Sequence, residues 1–150
     1  MPTPADAPAR FLVVGANHSS APLALRDRMF VDDRAAPEFL KSLLREGIEQ
    51  CLVISTCDRV EVVAAHPHPE QAAELLAGAL AHRAEAEAPA ARAKLYRLAD
   101  TQAARHVFAV ASSLDSVTVG EPQVLGQLKA AHKLARASGA MGEELDALLL

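Results

Sequence analysis

The sequence is poor in aromatic residues and cysteines, and it has no long apolar run. It contains no tryptophan, one tyrosine and two cysteines, Cys51 and Cys57. Two cysteines at this spacing give neither a disulfide framework nor a zinc site, so a reducing cytoplasm is the expected compartment. No stretch approaches the roughly 18 apolar residues that a membrane-spanning helix needs, so no membrane association is predicted.

Positive charge is also scarce. The net charge is −4 and the pI is near 5.8, which argues against a general affinity for nucleic acid but leaves a local basic groove open. Residues 1–9 contain three prolines and lack a basic region followed by an apolar core. They are predicted to be a disordered leader and not a secretory signal. Residues 10–150 are predicted to form one domain.

The chain does contain β-branched apolar runs that alternate with alanine- and leucine-rich segments of helical periodicity. Strands are predicted at 10–15, 50–55, 59–65 and 94–98. Helices are predicted after Pro22, between Asp33 and Gly47, at 71–83, 101–110 and 121–137, and from Glu143 onwards, with a solvated loop at 85–92. This order predicts an α+β fold, a ferredoxin-like split β-α-β sandwich with additional C-terminal helices.

The segment Ser55-Thr56-Cys57-Asp58-Arg59 connects two of the predicted strands. A thiol at a strand end beside an arginine is a setting in which cysteine becomes a nucleophile, because a cation favours the thiolate. The alternative is that Cys57 is a small apolar residue buried under the turn, since free cysteine is among the most buried residue types. Cys51 lies between apolar neighbours in a strand and is predicted to be structural.

Two other patterns predict no site. His66 and His68 each precede a proline in a turn, and no further ligands cluster with them, so no metal site is predicted. Gly15 and Gly120 belong to no dinucleotide fingerprint, and no phosphate-binding loop is present. The chain is therefore predicted not to bind NAD(P) by itself.

Three separated segments resemble one protein family. They are Gly15 to Arg26 (GANHSSAPLALR), Ser55 to Glu61 (STCDRVE) and Leu114 to Lys129 (LDSVTVGEPQVLGQLK). In this order they resemble the N-terminal catalytic domain of glutamyl-tRNA reductase, and the similarity runs from about residue 11 to the end of the chain. It implies the family's activity, the NADPH-dependent reduction of the glutamate on glutamyl-tRNA to glutamate-1-semialdehyde. That reaction serves the synthesis of tetrapyrroles such as porphyrins and heme.

The resemblance also implies roles for individual residues. Cys57 would attack the aminoacyl ester and form a thioester, and Arg59 would hold the side-chain carboxylate of the substrate with its fork of donors. His106 matches a histidine important for activity, although a structural histidine is the more usual occupant of an apolar helix face. The positions that match substrate-binding residues are Thr56, Asp58, Arg59, Ser116, Glu121, Pro122, Gln123 and Gln127.

Cofactor and partners follow from the same resemblance. NADPH is bound in the family by a domain that lies beyond residue 150, as does the dimerisation domain, so both are expected to be absent from this chain. The implied partners are glutamyl-tRNA, a second copy in the full-length enzyme and the downstream aminomutase, with no metal. The chain is predicted to be a fragment or a standalone version, and the apolar end at 145–150 favours a fragment.

Asp58 departs from the family, which usually has asparagine at this position. It either meets the α-ammonium group of the substrate or is an exposed turn residue. The departure leaves open a second function, a non-catalytic glutamyl-tRNA-binding or regulatory module. A third interpretation, a redox-sensing thiol on an unrelated domain, accounts for Cys57 but not for the motif around Ser116.

Overall fold

The protein has a mixed α and β fold built around one antiparallel sheet. The computed structural model describes residues 7–112 and 123–149. Within them the strands are β1 (Arg10–Asn17), β2 (Gln50–Ser55), β3 (Arg59–His66) and β4 (Tyr96–Ala99). Their spatial order is β2-β3-β1-β4, and every neighbouring pair is antiparallel.

Seven α-helices surround the sheet in the described part of the chain. They are α1 (Leu23–Met29), α2 (Ala36–Arg45), α3 (Pro69–His82), α4 (Ala88–Ala93), α5 (Asp100–Ala111), α6 (Gln123–Ala137) and α7 (Glu143–Leu149). The mixed fold class is confirmed. Residues 1–6 of the predicted leader lie outside the described residues.

Helices cover both faces of the sheet. Every residue from Arg59 to Ala65 of the central strand β3 is buried, although side chains alternate between the two faces of a strand. Helices α2 and α3 contact each other and pack on β2 and β1, whereas α5 and α6 contact each other and pack on β1 and β2. Glu61 contacts His106 of α5, so the Arg59 and Glu61 side chains lie on the face under α5.

A glycine after α6 helps to cover one edge of the sheet. Gly139 has φ of +77°, in the left-handed region that favours glycine and commonly ends helices. The turn lets the Ala140 amide donate to the Ala135 carbonyl at 2.9 Å. The Ala140 carbonyl in turn accepts from the Cys51 amide at 2.8 Å, so the edge strand β2 has a backbone partner on its outer side.

The predicted solvated loop at 85–92 is wrong. A short 3₁₀ turn at Glu85–Glu87 leads directly into α4, which packs on α3. The segment is rich in alanine, has a proline in its first helical turn and buries Ala91 completely. Helix propensity and the burial of that small side chain favour a helix over the predicted loop. Because α4 extends to Ala93, β4 begins at Tyr96 and not at Lys94.

Candidate active site

Cys57 lies in the tight connection between β2 and β3. The Thr56 amide donates to the Arg59 carbonyl at 2.8 Å, and the Asp58 amide donates to Thr56 Oγ1 at 3.0 Å. These bonds fix the backbone around Cys57, while the cysteine itself is exposed. The interpretation of Cys57 as a buried apolar residue is therefore wrong.

The other cysteine has opposite surroundings. Cys51 is completely buried in β2, and burial raises the pKa of its thiol to about 12. A thiol with that pKa is protonated at neutral pH and is a poor nucleophile. The prediction that Cys51 is structural is confirmed.

Arg26 and Asp58 flank Cys57. Arg26 Nη1 donates to the Cys57 carbonyl at 2.7 Å, and Arg26 Nε donates to the Ala21 carbonyl at 3.1 Å. The Cys57 thiol donates to Asp58 Oδ1, with a sulfur–oxygen distance of 3.8 Å. Asp58 is 8% exposed, so its interpretation as an exposed turn residue is wrong. Its carboxylate is a buried neighbour of the thiol.

The first two motif segments meet at this end of the sheet. Asn17, the last residue of β1, pairs with Arg59, the first residue of β3. The Asn17 side chain then shapes the following loop, because its Oδ1 accepts from the amides of Ser19 at 2.9 Å and Ser20 at 3.1 Å. This turn leads into α1, which carries Arg26 back towards Cys57.

A buried ionic cluster is centred on Glu61, two residues after Arg59 in β3. Glu61 Oε1 accepts from Arg59 Nη1 at 3.1 Å, and Glu61 Oε2 accepts from the Tyr96 hydroxyl at 2.6 Å. His106 Nε2 is bonded to the same Oε2 atom. Arg59 and Glu61 are each 1% exposed. Such partners are needed because burying an unpaired charge away from water raises the free energy of the folded state by several kcal/mol or more, on the order of the desolvation penalty of an ion.

The cluster lowers the pKa of the Glu61 carboxyl. Burial is the largest influence and by itself would raise this pKa, because it disfavours the charged form. The hydrogen bond and the charge of His106, the charge of Arg59 and the Tyr96 hydroxyl together outweigh burial. Glu61 is therefore held as a carboxylate inside the domain.

Gly15 in β1 makes room for this carboxylate. It pairs with Glu61 on one side and with Tyr96 on the other. A Cβ atom at Gly15 would lie 2.5 Å from the Val60 carbonyl oxygen and 2.7 Å from Glu61 Cγ, which is too close for any packing arrangement. The missing side chain lets the Tyr96 hydroxyl reach across β1 to Glu61.

Sequence reasoning missed Glu61 and Tyr96 as members of the site. For Glu61 a signal was present, because Arg59 and Glu61 are two residues apart in an apolar strand and so share one face. Opposite charges at that spacing in a buried strand indicate an ion pair. For Tyr96 the local sequence carries no comparable signal, since its place depends on the pairing of β4 with β1.

The third motif segment is described only in part. Gln127 of α6 lines a cavity of about 250 Å³ beside Ser55, which immediately precedes Thr56. Ser116, Glu121 and Pro122 lie outside the described residues, and so does the side chain of Gln123. The structure thus brings Thr56, Cys57, Asp58 and Arg59 together and joins His106 to them through Glu61, while the roles implied for all of these residues stay predictions.

Neither a metal-binding cluster nor a membrane-spanning helix is found in residues 7–112 and 123–149. Within these ranges no three His, Cys, Asp or Glu side chains are grouped so as to hold a metal ion. Among the same residues, no helix is both long enough and apolar enough to cross a membrane.

Fold and site together define a class, an α and β domain with an exposed cysteine at the end of an antiparallel sheet and a buried arginine–glutamate pair in the strand that follows this cysteine. The model of one family, the N-terminal domain of glutamyl-tRNAGlu reductase, matches residues 14–150. The chain therefore belongs to the family of glutamyl-tRNA reductase N-terminal domains.

Individual relatives agree with this assignment. Glutamyl-tRNA reductase 2 of Koribacter versatilis is 43% identical over 140 residues, which are 93% of this chain and 31% of that protein. Glutamyl-tRNA reductase of Rhodospirillum rubrum is 37% identical over 139 residues, which are 93% of this chain and 32% of that protein. The solved structure of the Methanopyrus kandleri reductase superposes with a TM-score of 0.71 at 26% identity, over 93% of this chain and 31% of that one. The chain spans about a third of the length of these relatives.

Proposed function

We propose that this domain binds the glutamyl end of glutamyl-tRNA and forms a thioester on Cys57. The observation that carries the proposal is an exposed thiol on a connection whose backbone is fixed, in a family named for the reductase of this substrate. The second thiol, Cys51, is buried and protonated, so it does not compete.

The proposed step is an acyl transfer. The Cys57 sulfur, as thiolate, attacks the carbonyl carbon of the glutamyl ester and forms a carbon–sulfur bond. The bond between that carbon and the ribose oxygen of the tRNA breaks, and this oxygen takes up a proton from water, which balances the proton that the thiol lost on forming the thiolate. A thioester carbonyl is less stabilised by resonance than an ester carbonyl, so the glutamyl group becomes more ready to accept hydride.

The Glu61 cluster supports the site from inside the fold. Glu61 holds the Arg59 guanidinium in one orientation, and His106 and Tyr96 hold Glu61. We propose that Arg59 binds the side-chain carboxylate of the substrate and that Thr56 and Asp58 contact the rest of the glutamyl group. His106 would act through this cluster, and Ser116, Glu121, Pro122, Gln123 and Gln127 would complete the binding surface.

The residues of this chain do not fit a dinucleotide. The sequence has no glycine-rich turn between a strand and a helix, and Gly15 lies inside β1 with its side-chain space taken by Glu61. We therefore assign NADPH binding and reduction to glutamate-1-semialdehyde, together with dimerisation and any contact with the aminomutase, to parts of the enzyme outside these 150 residues. The relatives are long enough to contain such parts. The compartment we propose is the cytoplasm.

We also propose that the sandwich belongs to the ferredoxin-like class. Two observations support this assignment. The first four strands and their helices follow the order strand, helices, strand, strand, helices, strand. The sheet order β2-β3-β1-β4 places the two strands of each β-α-β unit on either side of a third strand, as a split unit requires.

Mass spectrometry after incubation with glutamyl-tRNA tests the proposed thioester. We expect a glutamyl adduct on Cys57 and none in the variant Cys57→Ser, because a serine hydroxyl without an activating base is a poor nucleophile at neutral pH. Cys51→Ala is the matched control and should keep the adduct. An adduct that persists in Cys57→Ser, or one found on Cys51, would contradict the assignment.

A non-catalytic glutamyl-tRNA-binding module is the second candidate, and Asp58 is the observation that favours it. Its carboxylate lies 3.8 Å from the Cys57 sulfur, at a position where the resemblance implies asparagine. Under this alternative the protein binds glutamyl-tRNA but forms no adduct, with or without Asp58→Asn. If the domain is catalytic and Asp58 meets the substrate ammonium, Asp58→Asn weakens binding without slowing the alkylation of Cys57.

A further inference from the structure

We propose that Arg26 is a positioning residue for Cys57, an inference that rests on the proposed thioester chemistry. Arg26 lies in α1, 31 residues before Cys57, and its Nη1 donates to the Cys57 carbonyl at 2.7 Å. A charged donor at that distance forms one of the stronger hydrogen bonds in proteins. The nucleophile is thereby fixed to an element outside its own strand connection.

The bond controls the orientation of one peptide unit. The carbonyl of Cys57 and the amide of Asp58 belong to the same planar group, so holding both ends fixes the rotation of that plane. Arg26 holds the carbonyl end, and Thr56 Oγ1 holds the amide end at 3.0 Å. Since the plane sets the backbone direction just after the Cys57 Cα, it also limits the directions in which the thiol can point.

The guanidinium is itself fixed. Arg26 Nε donates to the Ala21 carbonyl at 3.1 Å, two residues before α1 begins, so two of its nitrogens bridge two separate carbonyl groups. Lysine has one nitrogen on a flexible chain and lacks this rigid fork. Arg26→Lys therefore keeps the charge but loses the bridge, which distinguishes positioning from a general effect of positive charge.

The test compares Arg26→Gln and Arg26→Lys with Arg28→Gln. Arg28 lies in the same helix and is exposed, so its variant makes the same change of charge as Arg26→Gln without touching Cys57. With glutamyl-tRNA at saturating concentration, both Arg26 variants should form the Cys57 adduct about 10 to 100 times more slowly, the loss expected from misplacing a reacting atom. Arg28→Gln should keep the wild-type rate.

Alkylation by iodoacetamide separates positioning from reactivity. This small reagent reaches an exposed thiol from many directions, so its rate should be similar in all four proteins. A wild-type adduct rate in Arg26→Gln or in Arg26→Lys would overturn the proposal. Alkylation slowed as much as adduct formation would also overturn it, because Arg26 would then act on the thiol and not on its direction.

Amide hydrogen exchange tests the positioning role of Arg26 independently of the thioester chemistry. We expect the Asp58 amide to exchange about tenfold faster in Arg26→Gln, the loss expected for one charge-assisted hydrogen bond, and at the wild-type rate in Arg28→Gln. Unchanged exchange in Arg26→Gln would refute the positioning role. If the wild type forms no adduct on Cys57 while this exchange result is obtained, the proposed function fails and the role of Arg26 in holding the connection remains.

Discussion

Two carboxylates in this fold each bind one histidine and one arginine, but they differ in exposure to water. The Glu61 side chain is 2% exposed and is bound by His106, Arg59 and Tyr96. The Asp146 side chain in α7 is 25% exposed and is bound by His132 and Arg136 of α6. Both carboxylates share a histidine and an arginine as partners, and Glu61 has the Tyr96 hydroxyl in addition, so burial is the main difference between the two clusters.

Because of this difference in burial, the two clusters contribute differently to the stability of the fold. Water can replace the partners of Asp146, and exposed ion pairs contribute only about 0–1 kcal/mol. Water cannot replace the partners of Glu61, so the loss of Arg59 would remove the cation that faces this buried carboxylate. The Asp146 cluster joins α7 to α6 loosely, whereas the Glu61 cluster ties β3, β4 and α5 into one unit beside the proposed site.

The largest effect is expected for Glu61→Gln. It keeps the shape of the side chain but removes the buried negative charge that Arg59, Tyr96 and His106 bind, which should lower the free energy of unfolding by about 3–5 kcal/mol. Urea denaturation followed by circular dichroism measures this change. Asp146→Asn is the matched control. A loss as small as that of the control would show that the cluster is far less shielded than the structure indicates.

An acid-dependent change should follow for the same residue. Because the pKa of Glu61 is lowered in the folded protein, its contribution to stability is complete above its ordinary pKa of 4.5. That contribution is lost as the pH falls below 4.5 through the lowered folded-state value. The difference in unfolding free energy between wild type and Glu61→Gln should therefore shrink on acidification. A difference that widens in acid would mean that the direction of the pKa shift is wrong.

The smallest effect is expected for Asp146→Asn. The bond from His132 Nε2 to Asp146 Oδ1 is 2.8 Å long, yet the pair is reached by water. We expect the unfolding free energy to fall by no more than about 1 kcal/mol, with formation of the Cys57 adduct unchanged. The same denaturation series measures it. A loss comparable to that of Glu61→Gln would remove the contrast between the two clusters.

Local sequence predicted those features of the fold that depend on local chemistry. The β-branched runs on either side of Cys57 indicated two strands, and both are found as β2 and β3. The segment before Gly47 indicated a helix, and α2 ends just before that glycine. The same reasoning missed α4, because the burial of Ala91 depends on a neighbouring helix that the local sequence does not reveal.

The candidate site was only partly predictable for a similar reason. Cys57 and Arg59 stand in a short motif that is visible in the sequence, and in the structure this motif spans the connection that leads into β3. The burial of Asp58 and the contacts of Glu61 depend on which residues face each other after the strands pair. Tyr96 and His106 reach Glu61 from segments 35 and 45 residues away, and local patterns carry no information about such pairings.

The contact across Gly15 has a consequence for how the sheet assembles. A shift of one residue in strand pairing turns every side chain to the opposite face. In the observed register, Glu61, Gly15 and Tyr96 lie side by side on three successive strands. Any slip of β1 would place a side chain at the position of Gly15. It would also separate the Glu61 carboxylate from the Tyr96 hydroxyl. The cluster therefore penalises misaligned sheets during folding, and the contacts that hold the Arg59 side chain also select the correct alignment of the strands around it.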